Sequence, residues 1–203
     1  MPGPGLVILM LAPIAAAGVL AVALRARLAG ASRLGALWLL VPIVVATPVA
    51  ARLRAAGVVP DGVLNRTFAV LVLLAAAGFL IANRGQRSAL VRAGVRLTAA
   101  GAAANAAATL LYGAMPVLAA SARWMGSDLR AGEHPDAEYV AVSASQVPAL
   151  LLGDVLPVPV LESVVSLGDL LLVPGGAILL AAVLAPLLRP LPAPTPHREE
   201  VNP

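Results

Sequence analysis

The chain has 203 residues, of which 60% are hydrophobic and 12% are charged, with a mean hydropathy of +0.93 and a formal net charge of +4. A soluble domain is about half apolar and about a quarter charged, so this composition indicates a membrane protein. All 14 basic residues are arginines, cysteine is absent, and there are two histidines. These counts exclude disulfides, a lysine Schiff base and a multi-histidine metal or haem site, and we expect no metal and no cofactor. The arginines flank apolar runs and few aromatic residues accompany them, which indicates membrane topology rather than nucleic-acid binding.

Five apolar runs approach the roughly 20 residues that a helix needs to cross about 30 Å of hydrocarbon. In chain order they are residues 5–24, 37–51 (extendable on both sides), 67–82, 95–117 and 170–188. The first run is interpreted as a retained span rather than a signal peptide, because no basic residue precedes it and arginines follow it. The sequence therefore predicts an all-α integral membrane domain over residues 1–189, with about five transmembrane helices, followed by a disordered tail over 190–203.

The fourth run differs from the others because alanine, glycine and polar residues dominate it. Its polar and small residues recur every three or four positions, which places them on one helix face: Thr98, Gly101, Asn105, Thr109 and Tyr112. An amide in hydrocarbon needs a partner, and small residues let helices approach closely, so this face is predicted to contact protein rather than lipid.

Residues 117–147 form a polar segment, and residues 147–160 form a short apolar one. Pro148, Pro157 and Pro159 interrupt the apolar segment, and Asp154 lies within it. We interpret it as one short re-entrant or interfacial helix, with a sixth span as the alternative.

The arginine distribution predicts the orientation. With the N-terminus outside, nine arginines fall on the inner side and five on the outer side. The prediction is a multi-pass protein of a bacterial inner (plasma) membrane, with its N-terminus outside and its C-terminus cytoplasmic. Its expected partners are the lipid bilayer and possibly another membrane protein, and not nucleic acid.

The segment Leu-Gly-Asp occurs twice, at 152–154 and 167–169, and its two aspartates are the main candidates for a binding or catalytic role. Three interpretations stay open: the aspartates cap helices, they pair with arginines such as Arg66 or Arg123, or they line a polar pocket and bind a cation or act as general acid and base. The candidate polar site comprises Asn105, Thr109, Tyr112, Asp154, Glu162 and Asp169.

Arg92 and Arg96, four residues apart on one helix face, are candidates for binding a phosphate or a lipid headgroup. The alternative is that they extend their charges to the headgroups from a helix end without binding specifically.

Segments of the second half resemble a small bacterial multi-pass membrane family of unknown function. They are Asn105, Gly-Ala-Met-Pro-Val at 113–117, Leu-Gly-Asp-Val-Leu-Pro-Val-Pro at 152–159 and Val-Ser-Leu-Gly-Asp-Leu-Leu at 165–171. Members carry Asn-Gly-Gly-x-Met-Pro, Leu-Gly-Asp-x-Ile-Pro-x-Pro and Ser-x-Gly-Asp, and this chain departs from the first motif with Leu-Tyr-Gly at 111–113. The resemblance covers residues 100–175 and implies a multi-pass fold but no reaction.

Three functions are consistent with these patterns. The first is a membrane component or partner subunit with a polar site on its outer side. The second is an enzyme acting on a lipid-linked or isoprenoid diphosphate substrate through Asp154, Asp169 and Asn105. The third is a small transporter or ion conduit that uses the same acids.

Overall fold

The structure, a computed structural model, describes residues 60–135, 138–146, 151–161 and 163–185, together with Val19, 34–36, Leu39, Val49, 52–53 and 56–57. Three long helices form its body: α1 (Asp61–Ala82), α2 (Ala89–Tyr112) and α4 (Leu167–Leu184). A short helix, α3 (Ala119–Trp124), lies between α2 and α4 in the chain. The first two predicted spans, Glu162 and the predicted tail lie outside the described residues.

The three long helices overlap the third, fourth and fifth predicted spans, but residues 115–117 of the fourth predicted span belong to a strand instead of a helix. The sequence predicts the third span at 67–82. Helix α1 ends at the same residue, Ala82, but begins six residues earlier. The fourth was placed at 95–117, whereas α2 begins at Ala89, where the Ser88 side chain accepts a hydrogen bond from the Val91 amide. It ends at Tyr112, because Gly113 takes a left-handed conformation (φ 75°) that favours glycine and caps the helix.

Helix α2 lies between α1 and α4 and makes its most extensive contacts with α4. Glycines allow this close approach, since a Cβ atom at Gly101 would lie 2.5 Å from the carbonyl oxygen of Gly168. About two turns further along α4, a Cβ at Gly175 would lie 2.7 Å from the amide nitrogen of Thr98. At Gly94 it would lie 2.8 Å from Ile178. Backbones of α2 and α4 therefore touch along an antiparallel crossing, as the small residues of the fourth run predicted.

A four-stranded sheet covers one end of this bundle. Its strands are β1 (Met115–Leu118), β2 (Tyr139–Val142), β3 (Asp154–Val158) and β4 (Ser163–Ser166), in the spatial order β2-β1-β3-β4. Strand β1 runs parallel to β2 and to β3, and β3 pairs with β4 in an antiparallel hairpin closed by a 3-10 turn (Pro159–Leu161).

This sheet departs from the expectation of exclusively helical structure. Residues 147–160 were expected to form a re-entrant or interfacial helix. Of the described part, residues 151–152 are helical, whereas the rest contains β3 and most of the 3-10 turn. Proline at 157 and 159 disfavours a helix, and valine at 155, 158 and 160 favours an extended chain. Pro157 pairs with Val164 of β4, and β3 meets β1 only at the Val117–Asp154 pair, so Pro157 has a strand on one side only. Proline within a sheet is typical of such edge positions.

The opposite end of the bundle is closed by a polar loop between α1 and α2. The Asn83 side chain, 2% exposed, donates to the carbonyls of Gly35 and Phe79 and accepts from the Gly35 amide and the Gln86 side chain. All four hydrogen-bonding positions of this amide are therefore used, and they tie residues 34–36 to the loop. Next to the loop, the largest apolar core cluster packs α1, α2 and α4 around Phe79 and Val95.

Among the described residues, two helices, α1 and α4, are long and apolar enough to cross a membrane. Their most apolar 18-residue segments have mean hydropathies of 2.0 and 2.1, and only 28% of the residues in each segment are buried. Large apolar side chains such as Leu74 (64% exposed), Ile81 (63%) and Val173 (56%) lie on their outer faces. The number of spans and the membrane placement stay predictions, because length and composition alone support them.

Two adjacent glycines in α4 test the importance of the α2–α4 crossing. Gly175→Ala places a methyl group against Thr98 and Leu97, whereas Gly176→Ala meets nothing within 4 Å. Replacing glycine by alanine in a helix gains about 1 kcal/mol, but overpacking costs about 1–3 kcal/mol. We expect the unfolding temperature of the detergent-solubilised protein to fall for Gly175→Ala and to stay level or rise for Gly176→Ala. An equal response of the two variants would contradict close packing at this crossing.

Candidate functional site

The candidate site lies where β4 passes directly into α4. Ser166 is the N-cap of α4, and its side-chain oxygen accepts a hydrogen bond from the Asp169 amide at 3.0 Å. Asp169 reciprocates, because its Oδ2 accepts from the Ser166 amide at 3.0 Å. This reciprocal pair is a capping box, and it satisfies backbone donors at the helix start.

Asn105 of α2 joins this cap from the facing helix. Its Nδ2 donates to Asp169 Oδ1 at 2.8 Å, and its Oδ1 accepts from the Ser166 hydroxyl at 2.8 Å. The amide lies directly over Gly168, where any Cβ atom would collide with Asn105 Oδ1. Glycine in the Ser-x-Gly-Asp segment is therefore required by the approach of the asparagine side chain as well as by the crossing of the helices.

The polar groups of this cluster form hydrogen bonds with one another. Both Asp169 oxygens accept hydrogen bonds, and the Asn105 amide uses its oxygen and its nitrogen. The hydroxyl of Thr109, the next candidate along α2, donates a hydrogen bond to the main-chain carbonyl of Asn105 at 3.1 Å. Asn105, Ser166 and Asp169 thus form a closed network, here called the cap network, which joins α2, α4 and the sheet.

Asp154 lies beside the cap network without belonging to it. It begins β3 and pairs across the ladder with Ser166, next to a bulge between Asp154 and Leu156. Its side chain is 7% exposed, and its Oδ1 is buried with no hydrogen-bond partner in the described part of the chain. Burial, and secondarily the negative charge of Asp169, raise the pKa of Asp154 to about 7.

The position of Asp154 is fixed by its neighbours. In α3, Ser121 is buried and donates its hydroxyl to the carbonyl of Val155 at 2.6 Å, which holds α3 against the start of β3. The backbone of Asp154 is also held between Val117 on β1 and Ser166 on β4. A carboxyl in this setting exchanges a proton near neutral pH, whereas an ordinary surface aspartate does so near 3.8.

Comparison with known proteins identifies the chain at the level of a family. A family model described as a family of unknown function, DUF5317, matches residues 32–181. The chain belongs to this family. No curated protein and no solved structure matches it.

The resemblance to a family of unknown function is therefore confirmed, whereas its motifs and its multi-pass membrane nature stay predictions. The DUF5317 match begins close to the segment at 34–36 that Asn83 binds, and it ends at Ala181 within α4. It therefore spans the helix bundle and the sheet together. Membership assigns no reaction to the site, so its chemistry is argued from its own geometry.

The structure separates the remaining predicted site residues from the cap network. Tyr112 lines a different cavity, near Arg66 and His134. Arg92 donates to the carbonyls of Gln86 (2.7 Å) and Arg87 (2.9 Å), so its guanidinium supports the α1–α2 loop, while Arg96 is exposed.

Sequence reasoning included a helix-capping role for Asp169, which the capping box shows, but it did not assign the long-range partners that organise the site. Ser166 with Asp169 follows the Ser-x-x-acid signature of a capping box before an apolar run, so this cap was readable from the sequence. The Ser121 bond to β3 and the bond from Asn65 Nδ2 to the Gly113 carbonyl (2.9 Å) link residues 34 and 48 positions apart. No local pattern predicts such pairs.

The raised pKa of Asp154 predicts an inverted pH dependence of stability. Between pH 3.8 and about 7 the folded chain keeps a proton that the unfolded chain has lost. The free energy of unfolding should therefore fall as pH rises through this window, by at most about 1.4 kcal/mol per pH unit, and level off above it. Asp154→Asn should remove this slope, and Asp128→Asn, on an exposed loop, should keep it. Unfolding temperatures measured from pH 4.5 to 8 check this, and an identical slope in the parent and Asp154→Asn would refute it.

Proposed function

We propose that the protein is a small integral component of a bacterial inner membrane, with a proton-binding carboxyl group, Asp154, on its outer side. The helix bundle would lie in the bilayer and the sheet at its surface. The length and apolar surface of α1 and α4 support this placement. Helix α2, less apolar and richer in alanine and glycine, is enclosed between them, which suits a span that contacts protein.

The charge distribution supports an outer position for the sheet. The α1–α2 loop and the first turns of α2 carry Arg84, Arg87, Arg92 and Arg96 without an acidic residue. The segment from 113 to 166, at the other end, carries six acidic residues and two arginines. Arginine-rich segments near span ends are retained in the cytoplasm, which would place the sheet and Asp154 outside.

The single observation that supports the proton-binding role is the buried Oδ1 of Asp154, which has no hydrogen-bond partner among the described residues. A buried carboxylate oxygen without a donor costs free energy, and protonating the group removes the charge that is most costly to bury. The neighbouring carboxylate of Asp169 acts in the same direction, because two adjacent negative charges disfavour each other.

A proton fits this position better than a metal ion. Calcium takes six to eight oxygen ligands and magnesium about six, partly from water. Here each oxygen of Asp169 and the Asn105 amide oxygen already accept a hydrogen bond within the cap network, so a cation at Asp154 would have to share or displace these contacts to complete its ligand set. Among the described residues there is also no group of three or more histidines, cysteines or acids placed to hold a metal.

The same hydrogen bonds argue against a catalytic role for these side chains acting together. An enzyme using Asp154, Asp169 and Asn105 together would need at least two of these side chains to be available to the substrate. Asp169 and Asn105 are already hydrogen-bonded within the cap network. A membrane component whose charge on the outer side changes near neutral pH uses Asp154 alone. Such a change would alter its contacts with a partner subunit or with lipid headgroups.

Infrared spectroscopy of the purified full chain in detergent tests this function. A protonated carboxylic acid has a carbonyl stretching band that an ionised one lacks. We expect such a band to persist at pH 6 and to titrate near pH 7, to be absent in Asp154→Asn, and to be unchanged in Asp128→Asn.

Two results would contradict the proposal. One is a parent protein whose carboxylic acid band is already lost well below pH 6. The other is loss of the band at constant pH when millimolar Mg²⁺ or Na⁺ is added, which would make Asp154 a cation site.

A further inference from the structure

A second polar feature lies apart from the cap network, where α1 begins and α2 ends. It is a cavity of about 470 Å³ between the first turns of α1, the Gly113 turn and the loop that carries His134. Its volume lies within the range of small-molecule pockets, about 300–1,000 Å³. Its polar lining side chains are Asp61, Arg66, Tyr112 and His134.

Arg66 is held in the wall of this cavity by both helices. Its Nε donates to the carbonyl of Leu110 at 3.2 Å. The guanidinium lies against Gly113, where a Cβ atom would lie 3.2 Å from Nη2, and near Gly62, where a Cβ would lie 3.9 Å from Nη1. Glycine at 113 thus provides the left-handed turn and the space for the guanidinium.

The bond to Leu110 uses one nitrogen of the guanidinium and leaves its two terminal nitrogens available. Within the described part of the chain, these nitrogens have no hydrogen-bond partner, whereas Asp61 is engaged by a partner of its own. The guanidinium fork matches two oxygens of a phosphate group. Tyr112 and His134 also line the cavity, and their side chains carry a hydroxyl and a ring N–H that can donate hydrogen bonds.

We propose that this cavity binds a phosphate group, carried by a lipid headgroup or free in solution, with Arg66 as its principal ligand. The cavity is lined by the start of α1 and the end of α2, so it lies at the sheet end of the bundle, where headgroups would lie if α1 and α2 cross the bilayer. The proposal does not depend on proton binding by Asp154, since no residue of the cap network lines the cavity.

The test measures the unfolding temperature of the full chain in a maltoside detergent and a phosphate-free buffer. Three probes are titrated separately: inorganic phosphate, phosphatidylglycerol, and a galactolipid with the same acyl chains and no phosphate. A ligand that binds the folded chain raises this temperature in a saturable way. We expect saturable stabilisation by phosphatidylglycerol or inorganic phosphate and none by the galactolipid.

Matched arginine variants locate the site. Arg66→Gln should weaken the apparent affinity by about tenfold or more. Arg84→Gln, which changes an exposed arginine in the α1–α2 loop at the other end of the bundle, should leave it unchanged. His134→Gln should weaken it severalfold while keeping the Arg66–Leu110 bond, so it tests the site even if Arg66→Gln fails to fold.

The two phosphate sources are distinguished by the probes. Saturation by inorganic phosphate alone indicates a free anion, and saturation by phosphatidylglycerol alone indicates a headgroup. Stabilisation by the galactolipid to the same extent, no response to either phosphate probe, or equal losses in Arg66→Gln and Arg84→Gln would overturn the proposal.

Discussion

The contact on which the rest of the structure depends is the crossing of α2 and α4 at Gly101 and Gly168. The helix backbones approach so closely there that neither position can hold a side chain, and Asn105 lies over the second glycine. Its amide then reaches both members of the α4 cap. In the membrane setting that we propose, apolar burial between helices would give little driving force, and such packing and a satisfied interhelical amide would supply the association.

The cap network extends this crossing into the sheet. Ser166 ends β4 and starts α4, so the same residue positions a strand and a helix, and its ladder partner is Asp154. Fixing Ser166 therefore also fixes the buried carboxyl beside it. The aspartates of the two Leu-Gly-Asp segments differ for this reason. Both oxygens of Asp169 accept hydrogen bonds within the cap network, whereas Asp154 keeps a buried oxygen that has no donor among the described residues.

Local patterns predicted the helices well and the sheet not at all. Apolar length and the polar stripe of small residues located α1, α2 and α4 and the protein-facing side of α2, because both signals repeat along one element. Strands β1 to β4 are four or five residues long, and β1 pairs with two strands that are distant from it in the sequence. Their short apolar runs are indistinguishable from interfacial segments by periodicity. Likewise, the sequence identified both aspartates, but only the tertiary contacts of Asn105 and Ser166 separate their roles.

The central claim, a bilayer-spanning bundle with its sheet and Asp154 outside, is tested most directly by the sidedness of two engineered cysteines. The chain has no cysteine of its own, so each variant carries one thiol. Ala131 is exposed at the sheet end and Ala89 is exposed beside the arginine-rich loop. A membrane-impermeant maleimide should label Ala131→Cys in intact cells, and Ala89→Cys only after the membrane is permeabilised. Labelling of both positions, or of Ala89→Cys alone, in intact cells would contradict the account.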